Sequence, residues 1–108
     1  MFVDRKGNMR TREKSYQDYG MDEKEVRYIK EFCRNANTEQ KQIIKYALSE
    51  IQPYIAPYVY YSLVENMSYE ELCGRDYIYI GKGDFYGHRR QGMECIKRWL
   101  ILNNMWEL

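Results

Sequence analysis

The fold is decided by residues 68–90, which read SYEELCGRDYIYIGKGDFYGHRR. At its start, the Ser68 hydroxyl can accept a hydrogen bond from the Glu71 amide, while the Glu71 carboxylate can accept one from the Ser68 amide. This reciprocal pair, a capping box, predicts a short helix that begins directly after Ser68. Gly74 is expected to end that helix, and Leu72 to face the interior.

A longer helix is predicted to follow, with Gly81 as its N-cap and Asp84 in a first turn where a carboxylate offsets the helix dipole. One face of this helix is apolar or small and is predicted to point inward: Phe85, His88, Gly92, Met93, Ile96, Trp99 and Leu100. The opposite face carries the polar groups Tyr86, Arg89, Arg90, Lys97 and Arg98. Each glycine inside a helix costs about 1 kcal/mol relative to alanine. We therefore expect Gly92 to pack closely against another helix and Gly87 to approach a large partner.

Three more helices are predicted upstream. Apolar residues recur at helical spacing over residues 22–36 and again after Thr38, a suitable N-cap. Pro53 stops the second helix, because proline lacks an amide proton and clashes with the preceding turn. Pro57 suits the first turn of a third helix that runs to Asn66.

The expected fold is an all-α bundle of four or five helices in one domain over residues 21–108, since the chain of 108 residues has the length of one domain. Residues 1–20 show no periodicity and are predicted to be a flexible basic arm.

Composition argues against several classes of protein. Three cysteines and a single histidine form neither a zinc site nor a disulfide framework, so no metal or cofactor is expected. No apolar run approaches the ~20 residues that span a bilayer, and the first residues lack the apolar core of a secretory signal. We expect a cytoplasmic protein without a membrane partner.

Charge is distributed unevenly along the chain, although its sum is only +1. Residues 1–14 and residues 82–98 each carry five basic and two acidic side chains. Residues 22–71 carry nine acidic and six basic side chains. Two basic ends around an acidic middle are compatible with a polyanion site at one pole, and also with solvated faces.

A short capped helix, a turn and a longer helix with a basic outer face have the plan of a helix-turn-helix, whose second helix enters the major groove of DNA. Arginine pairs with guanine O6 and N7, lysine beside first-turn amides holds phosphate, and tyrosine contacts the backbone or stacks. The candidate DNA-binding residues are Lys82, Tyr86, Arg89, Arg90 and Lys97. No catalytic residue is expected.

The stretches Ser68–Leu72 and Ile80–Arg90 together resemble the sYeeL … I-x-x-x-x-FYxxRR segment of Gram-positive prophage transcriptional regulators. These ArpU/RinA-type proteins have a helix-turn-helix similar to region 4 of sigma factors. The resemblance covers about residues 58–102. It implies a sequence-specific regulator that binds double-stranded DNA and contacts RNA polymerase. By position it implies that Phe85 anchors the core and that Lys82, Tyr86, Arg89 and Arg90 face DNA.

Other interpretations remain open. The same helix could bind RNA polymerase or another regulator instead of DNA, which the near-neutral charge favours. The stretch 74–80 is longer than an ordinary helix-turn-helix turn and could form a short strand. The Tyr58-Val59-Tyr60 and Tyr79-Ile80-Gly81 motifs resemble pieces of the GIY-YIG nuclease motif. Their separation of about twenty residues is twice that of the family, so an enzyme is not expected.

The C-terminal residues form an apolar surplus that one amphipathic face cannot cover. We predict a homodimer contact there, made by Trp99, Leu100, Ile101, Leu102, Met105, Trp106 and Leu108.

Overall fold

The computed structural model describes residues 10–108, which form five helices and no strand. The helices are α1 (Glu23–Arg34), α2 (Thr38–Leu48), α3 (Ala56–Val64), α4 (Tyr69–Arg75) and α5 (Lys82–Leu102). Two 3₁₀ turns, Thr11–Glu13 and Gln17–Tyr19, precede α1. The predicted all-α fold is confirmed, and no helix within these residues is long and apolar enough to cross a membrane.

The sequence predicts the starts of α4 and α5 correctly. At the first turn of α4 the Glu71 amide donates to the Ser68 hydroxyl at 3.1 Å, and the Ser68 amide donates to the Glu71 carboxylate at 2.8 Å. Gly81 is the N-cap of α5, and Pro57 lies in the first turn of α3. Local chemistry therefore sets where α4 and α5 begin.

Two local predictions are wrong in detail. Asn37 is the N-cap of α2 in place of Thr38, because its side chain accepts the Gln40 amide at 2.8 Å. Gly74 lies inside α4, which continues to Arg75. The stretch that follows, for which the sequence leaves a turn or a short strand open, is a turn.

The helix α5 is the element around which the core is built. A Cβ atom added at Gly92 would lie 2.7 Å from Leu48 Cδ2 and 3.3 Å from Val59 Cγ1. Gly92 thus allows α2 and α3 to pack directly on α5, as predicted. Phe85 and Ile96 are fully buried on the same helix, so the prediction of Phe85 as a core anchor is also confirmed.

The C-terminal segment folds back onto α1. The Tyr28 hydroxyl donates to the Met105 carbonyl at 3.1 Å, and the Tyr28 ring meets the Trp106 ring edge to face with centroids 4.9 Å apart. Leu100 is fully buried in the core. Part of the predicted dimer surface is therefore used within the chain, and its most exposed apolar residues are Ile101, Leu102 and Leu108.

Candidate nucleic-acid interface

A basic segment, residues 10–14, lies against the N-terminal half of α5. At Gly87 the two backbones are so close that a Cβ atom would stand 2.7 Å from Arg12 Cα and 2.8 Å from the Thr11 carbonyl oxygen. Gly87 thus allows a segment of its own chain to approach closely, whereas the sequence predicts the close approach of a separate large partner. Residues 10–20, which the sequence predicts to be part of a flexible arm, form turns that pack on α5. Residues 1–9 of the predicted arm lie outside the residues that the structure describes.

Arg90 ties the basic segment to α5. Its Nε donates to the Lys14 carbonyl at 2.7 Å and its Nη2 donates to the Arg12 carbonyl at 3.2 Å. The guanidinium therefore points along the helix surface toward the segment, and not outward as the sequence predicts. In this position Arg90 organises other basic residues and is itself only partly exposed.

Arg89 lies beside the Tyr86 ring of the same helix. Its Nε is buried without a hydrogen-bond partner, and its Cζ lies 5.6 Å from the centre of the Tyr86 ring. The side chain is only partly exposed, so it does not project from the outer face that was predicted for it. Its charge reaches Lys30 on α1, whose pKa is lowered by burial first and then by Arg89 and Arg34.

Tyr86 holds α4 against α5. Its hydroxyl accepts a hydrogen bond from the Tyr69 amide, the first of α4, at 3.1 Å. The Tyr69 hydroxyl in turn donates to the Ile80 carbonyl at 2.6 Å, and the Tyr69 ring packs on Phe85. These contacts fix the relative orientation of the two helices, which makes Tyr86 a positioning residue for the α4–α5 pair.

Lys97 lies near the other end of α5 in a partly buried ion pair. Its Nζ is 2.8 Å from the Glu25 carboxylate, and both side chains are only 20% exposed. The same Nζ donates to the Gly20 carbonyl at 3.2 Å. Hydrogen bonds from Lys97 and from the Asp22 amide lower the pKa of Glu25. The role of this lysine in the structure is to join α5 to the start of α1.

Lys82 retains the position that the sequence predicts, at the exposed start of α5. Its Nζ is 2.8 Å from the Glu70 carboxylate of α4. This contact lowers the pKa of Glu70 and raises that of Lys82. Because both side chains are well exposed, the pair can open to let Lys82 contact another anion.

Two further basic residues belong to this surface and are absent from the sequence prediction. The side chains of Arg10 and Arg12 are 67% and 50% exposed, and the Nε of Arg12 is 4.0 Å from the Asp84 carboxylate on α5. The Arg12 guanidinium thus offsets the one acidic group in the first turn of α5. Two signals in the sequence pointed here, the basic run at 1–14 and the unexplained Gly87.

The motifs considered for a nuclease lie on different elements. Tyr58 and Tyr60 belong to α3, while Tyr79-Ile80-Gly81 forms the end of the turn before α5. A comparison of the chain with protein-family models, with curated proteins and with solved structures finds no match.

Proposed function

We propose that this protein is a transcriptional regulator of the prophage type that binds double-stranded DNA. DNA would lie across the N-terminal half of α5 and the basic segment of residues 10–14. The observation that carries this proposal is that the basic segment of residues 10–14 and the N-terminal half of α5 lie against each other. They meet at Gly87, where the backbones touch, and are joined by the hydrogen bonds of Arg90.

The chemistry of this surface suits a phosphate backbone. Within the basic segment, Arg10, Arg12 and Lys14 carry three positive charges against one from Glu13. At the start of α5, Arg12 faces Asp84 and Lys82 faces Glu70, and these exposed pairs can open to a phosphate. Basic side chains and the first amides of a helix are the usual phosphate contacts in protein–DNA complexes. Such contacts set the position of the protein on the duplex and supply most of its salt-dependent affinity.

The start of α5 is suited to enter a groove. Gly83 is exposed, and no atom lies within 4 Å of the position that a Cβ would take there. The first turn therefore has no side chain at this residue that would keep a groove at a distance. Asp84 follows it, and a carboxylate is the side-chain type that accepts from cytosine N4 in the major groove. In this arrangement Arg90 and Tyr86 are positioning residues, which hold the basic segment and α4 in place.

Selection of duplexes from a random pool tests the proposal. The selected duplex should bind about 10³-fold more tightly than a scrambled duplex of equal composition. Fluorescence anisotropy should also show that affinity for either duplex falls as salt rises. Failure to enrich any sequence, together with no salt-dependent binding to any duplex, would contradict the proposal.

An exposed aromatic pair favours protein binding as a second candidate function. Tyr77 and Tyr79 in the turn between α4 and α5 are 70% and 78% exposed, with ring centroids 4.7 Å apart. Tyrosine is enriched in protein–protein interfaces and at their energetic hot spots. We infer that this pair contacts RNA polymerase or another regulator while the basic surface binds DNA.

Binding to purified bacterial RNA polymerase tests this second function. The double variant Tyr77→Ser/Tyr79→Ser should lose at least about tenfold in affinity, which is a modest loss for two interface tyrosines. Tyr54→Ser, at another exposed tyrosine, is the control and should bind as the native chain does. Equal binding by the double variant and the native chain would exclude the tyrosine pair from the contact.

The homodimer also remains a proposal, now restricted to the apolar residues that stay exposed at the end of α5. Sedimentation equilibrium should show a dimer that Leu102→Glu converts to a monomer, because a carboxylate cannot be buried unpaired in an apolar contact. A native chain that stays monomeric at high concentration would rule out this dimer.

A further inference from the structure

We propose that the cavity between α2 and α3 binds a small aromatic carboxylic acid. The cavity has a volume of about 630 Å³, which lies within the range of pockets that hold small-molecule ligands. Two charged residues, Lys45 and Glu65, line it. None of its lining residues belongs to the proposed DNA surface, so the inference does not rest on the proposed function. The rest of its wall is mostly apolar or aromatic and includes Leu48, Pro53, Ala56, Pro57, Tyr60 and Tyr61.

The apolar part of the wall suits an apolar ligand group. The cavity reaches the hydrophobic core at Leu48, which is only 2% exposed and packs beside Gly92 of α5. Pro53 and Pro57 have no amide proton, so neither offers a backbone donor to a ligand. A polar group would lose its hydrogen bonds to water against such a wall, whereas an apolar group gains free energy when it leaves water.

The two tyrosines favour an aromatic ligand over an aliphatic one. The rings of Tyr60 and Tyr61 meet edge to face, with centroids 5.8 Å apart. Both side chains are partly exposed, so ring surface is open to a ligand. A third ring can make offset or edge contacts with these rings, and such contacts stabilise beyond the area that they bury.

Lys45 gives the cavity a cation that the fold does not neutralise. Its Nζ lies 5.3 Å from the centre of the Tyr60 ring, and it forms no ion pair with a carboxylate of residues 10–108. Glu65, in contrast, pairs with Arg75 of α4, whose Nη1 lies 3.9 Å from its carboxylate. The ammonium has three donors, so it can bind an anion while it stays over the ring. The cavity therefore favours an anionic ligand.

The other polar groups of the cavity indicate which anion. Burial, followed by Glu65, raises the pKa of Tyr60, so its hydroxyl keeps its proton at neutral pH. The Ser49 hydroxyl already donates to the Tyr46 carbonyl at 2.6 Å and has no proton to offer a ligand. One unpaired cation matches the single charge of a carboxylate better than the charge of a phosphate monoester, which is close to two.

Titration of the full chain with 2-naphthoate, followed by NMR and without DNA, tests the inference. We expect saturable shifts of the amide signals around Lys45 and Tyr60, with a Kd of about 1 mM or lower. The uncharged analogue 2-naphthamide should bind at least about tenfold more weakly, the loss that corresponds to one charge-assisted hydrogen bond. The aliphatic acid decahydro-2-naphthoate, which keeps the charge and lacks the aromatic rings, should also bind more weakly.

Three variants assign the binding to this cavity. Lys45→Met should bind 2-naphthoate and 2-naphthamide equally, because Lys45 supplies the advantage of the acid. Lys41→Met, one turn earlier on α2 and outside the cavity lining, is the matched control and should keep the native preference for the acid. Ala56→Phe should fill the cavity and abolish binding of both compounds. Lys45 is exposed, so Lys45→Met keeps the test decisive even if Ala56→Phe fails to fold.

Four results would overturn the inference. They are no saturable response to 2-naphthoate, equal affinity of the native chain for the acid and the amide, equal affinity for the aromatic and the aliphatic acid, or an equal loss in Lys41→Met. Shifts of the same NMR signals with protein concentration alone would also overturn it, because a second copy of the chain would then cover the cavity. Failure of DNA binding leaves the titration interpretable, since no DNA is present in it.

Discussion

Gly87 and Gly92 lie five positions apart in α5, and each lets another part of the chain come closer than any side chain would allow. At Gly92 the neighbours are the ends of flexible side chains, Leu48 Cδ2 and Val59 Cγ1. At Gly87 they are backbone atoms of Thr11 and Arg12, which cannot move aside without moving the whole segment. One side of α5 is therefore built for folding and the other for holding a basic segment.

A substitution on the side of α5 that packs in the core should have the largest effect on stability. Phe85 is fully buried where α4 and α5 meet, so Phe85→Ala removes its contacts and leaves a cavity. We expect a loss of about 3–5 kcal/mol in the free energy of unfolding. Urea denaturation measures it, and a loss below about 1 kcal/mol would show that this end of α5 is not part of the core.

Substitutions at the two glycines distinguish effects on folding from effects on binding more directly. Gly92→Ala should cost about 1–3 kcal/mol through overpacking, partly offset by the gain of about 1 kcal/mol in helix propensity. Its basic segment should stay in place. The converse holds for Gly87→Ala, in which the added Cβ displaces residues 10–14 from α5 while the core is untouched.

Limited trypsin digestion reports the difference between the two variants. Cleavage after Arg12 and Lys14 should be faster in Gly87→Ala than in the native chain, because those bonds leave the helix surface. Duplex affinity should fall in that variant alone at a temperature where both variants are folded. Equal cleavage rates and equal duplex affinities in the two variants would show that the contact at Gly87 has no special role in holding the basic segment.

A smaller effect is expected at the Glu25–Lys97 pair, which joins α5 to α1 on the segment's side. Because the folded state lowers the pKa of Glu25, the pair stabilises the protein above the ordinary pKa of glutamate. That contribution is lost as the pH falls through the folded-state pKa. Glu25→Gln should thus cost about 1 kcal/mol at pH 7 and almost nothing near pH 3. Thermal unfolding at both pH values checks this, and an equal deficit at both would show that the charge of Glu25 is not involved.

Lys82→Ala should have the smallest effect on stability, since its partner Glu70 is also exposed. We expect no measurable change in the free energy of unfolding, together with a salt slope of duplex binding lowered by about 1. Anisotropy titrations over a range of salt concentrations measure the slope. An unchanged slope would remove Lys82 from the DNA contact.

The sequence predicts correctly the features that depend on residues close together along the chain, such as the starts of helices. The Ser68 capping box, the N-cap at Gly81 and Pro57 in the first turn of α3 are all local, and each lies where the residues indicate. The burial of Phe85 follows from the helical spacing of the apolar residues in α5. The need for a close neighbour at Gly87 was also readable, because a glycine inside a helix is costly.

The directions of the polar side chains could not be predicted in this way. Arg90 turns toward carbonyl oxygens of residues 12 and 14, which are distant in sequence, and Arg89 lies beside the Tyr86 ring with its Nε buried. A helical period divides residues between two faces but does not show which other elements cover them. Here the outer face that the sequence predicts is divided among three elements, since Arg90 contacts the basic segment, Tyr86 contacts α4 and Lys97 contacts α1.

The salt dependence of duplex binding tests the central claim most directly, which is that the docked basic segment forms part of the DNA surface. The variant replaces the three basic residues by neutral ones: Arg10→Gln, Arg12→Gln and Lys14→Gln. The matched control makes the same changes at exposed basic residues elsewhere on the fold: Lys24→Gln, Arg27→Gln and Lys41→Gln. The first should lower the slope of log affinity against log salt by about 2–3, as loss of three phosphate contacts requires, and the control should leave it unchanged. Equal slopes for the native chain and the first variant would contradict the account.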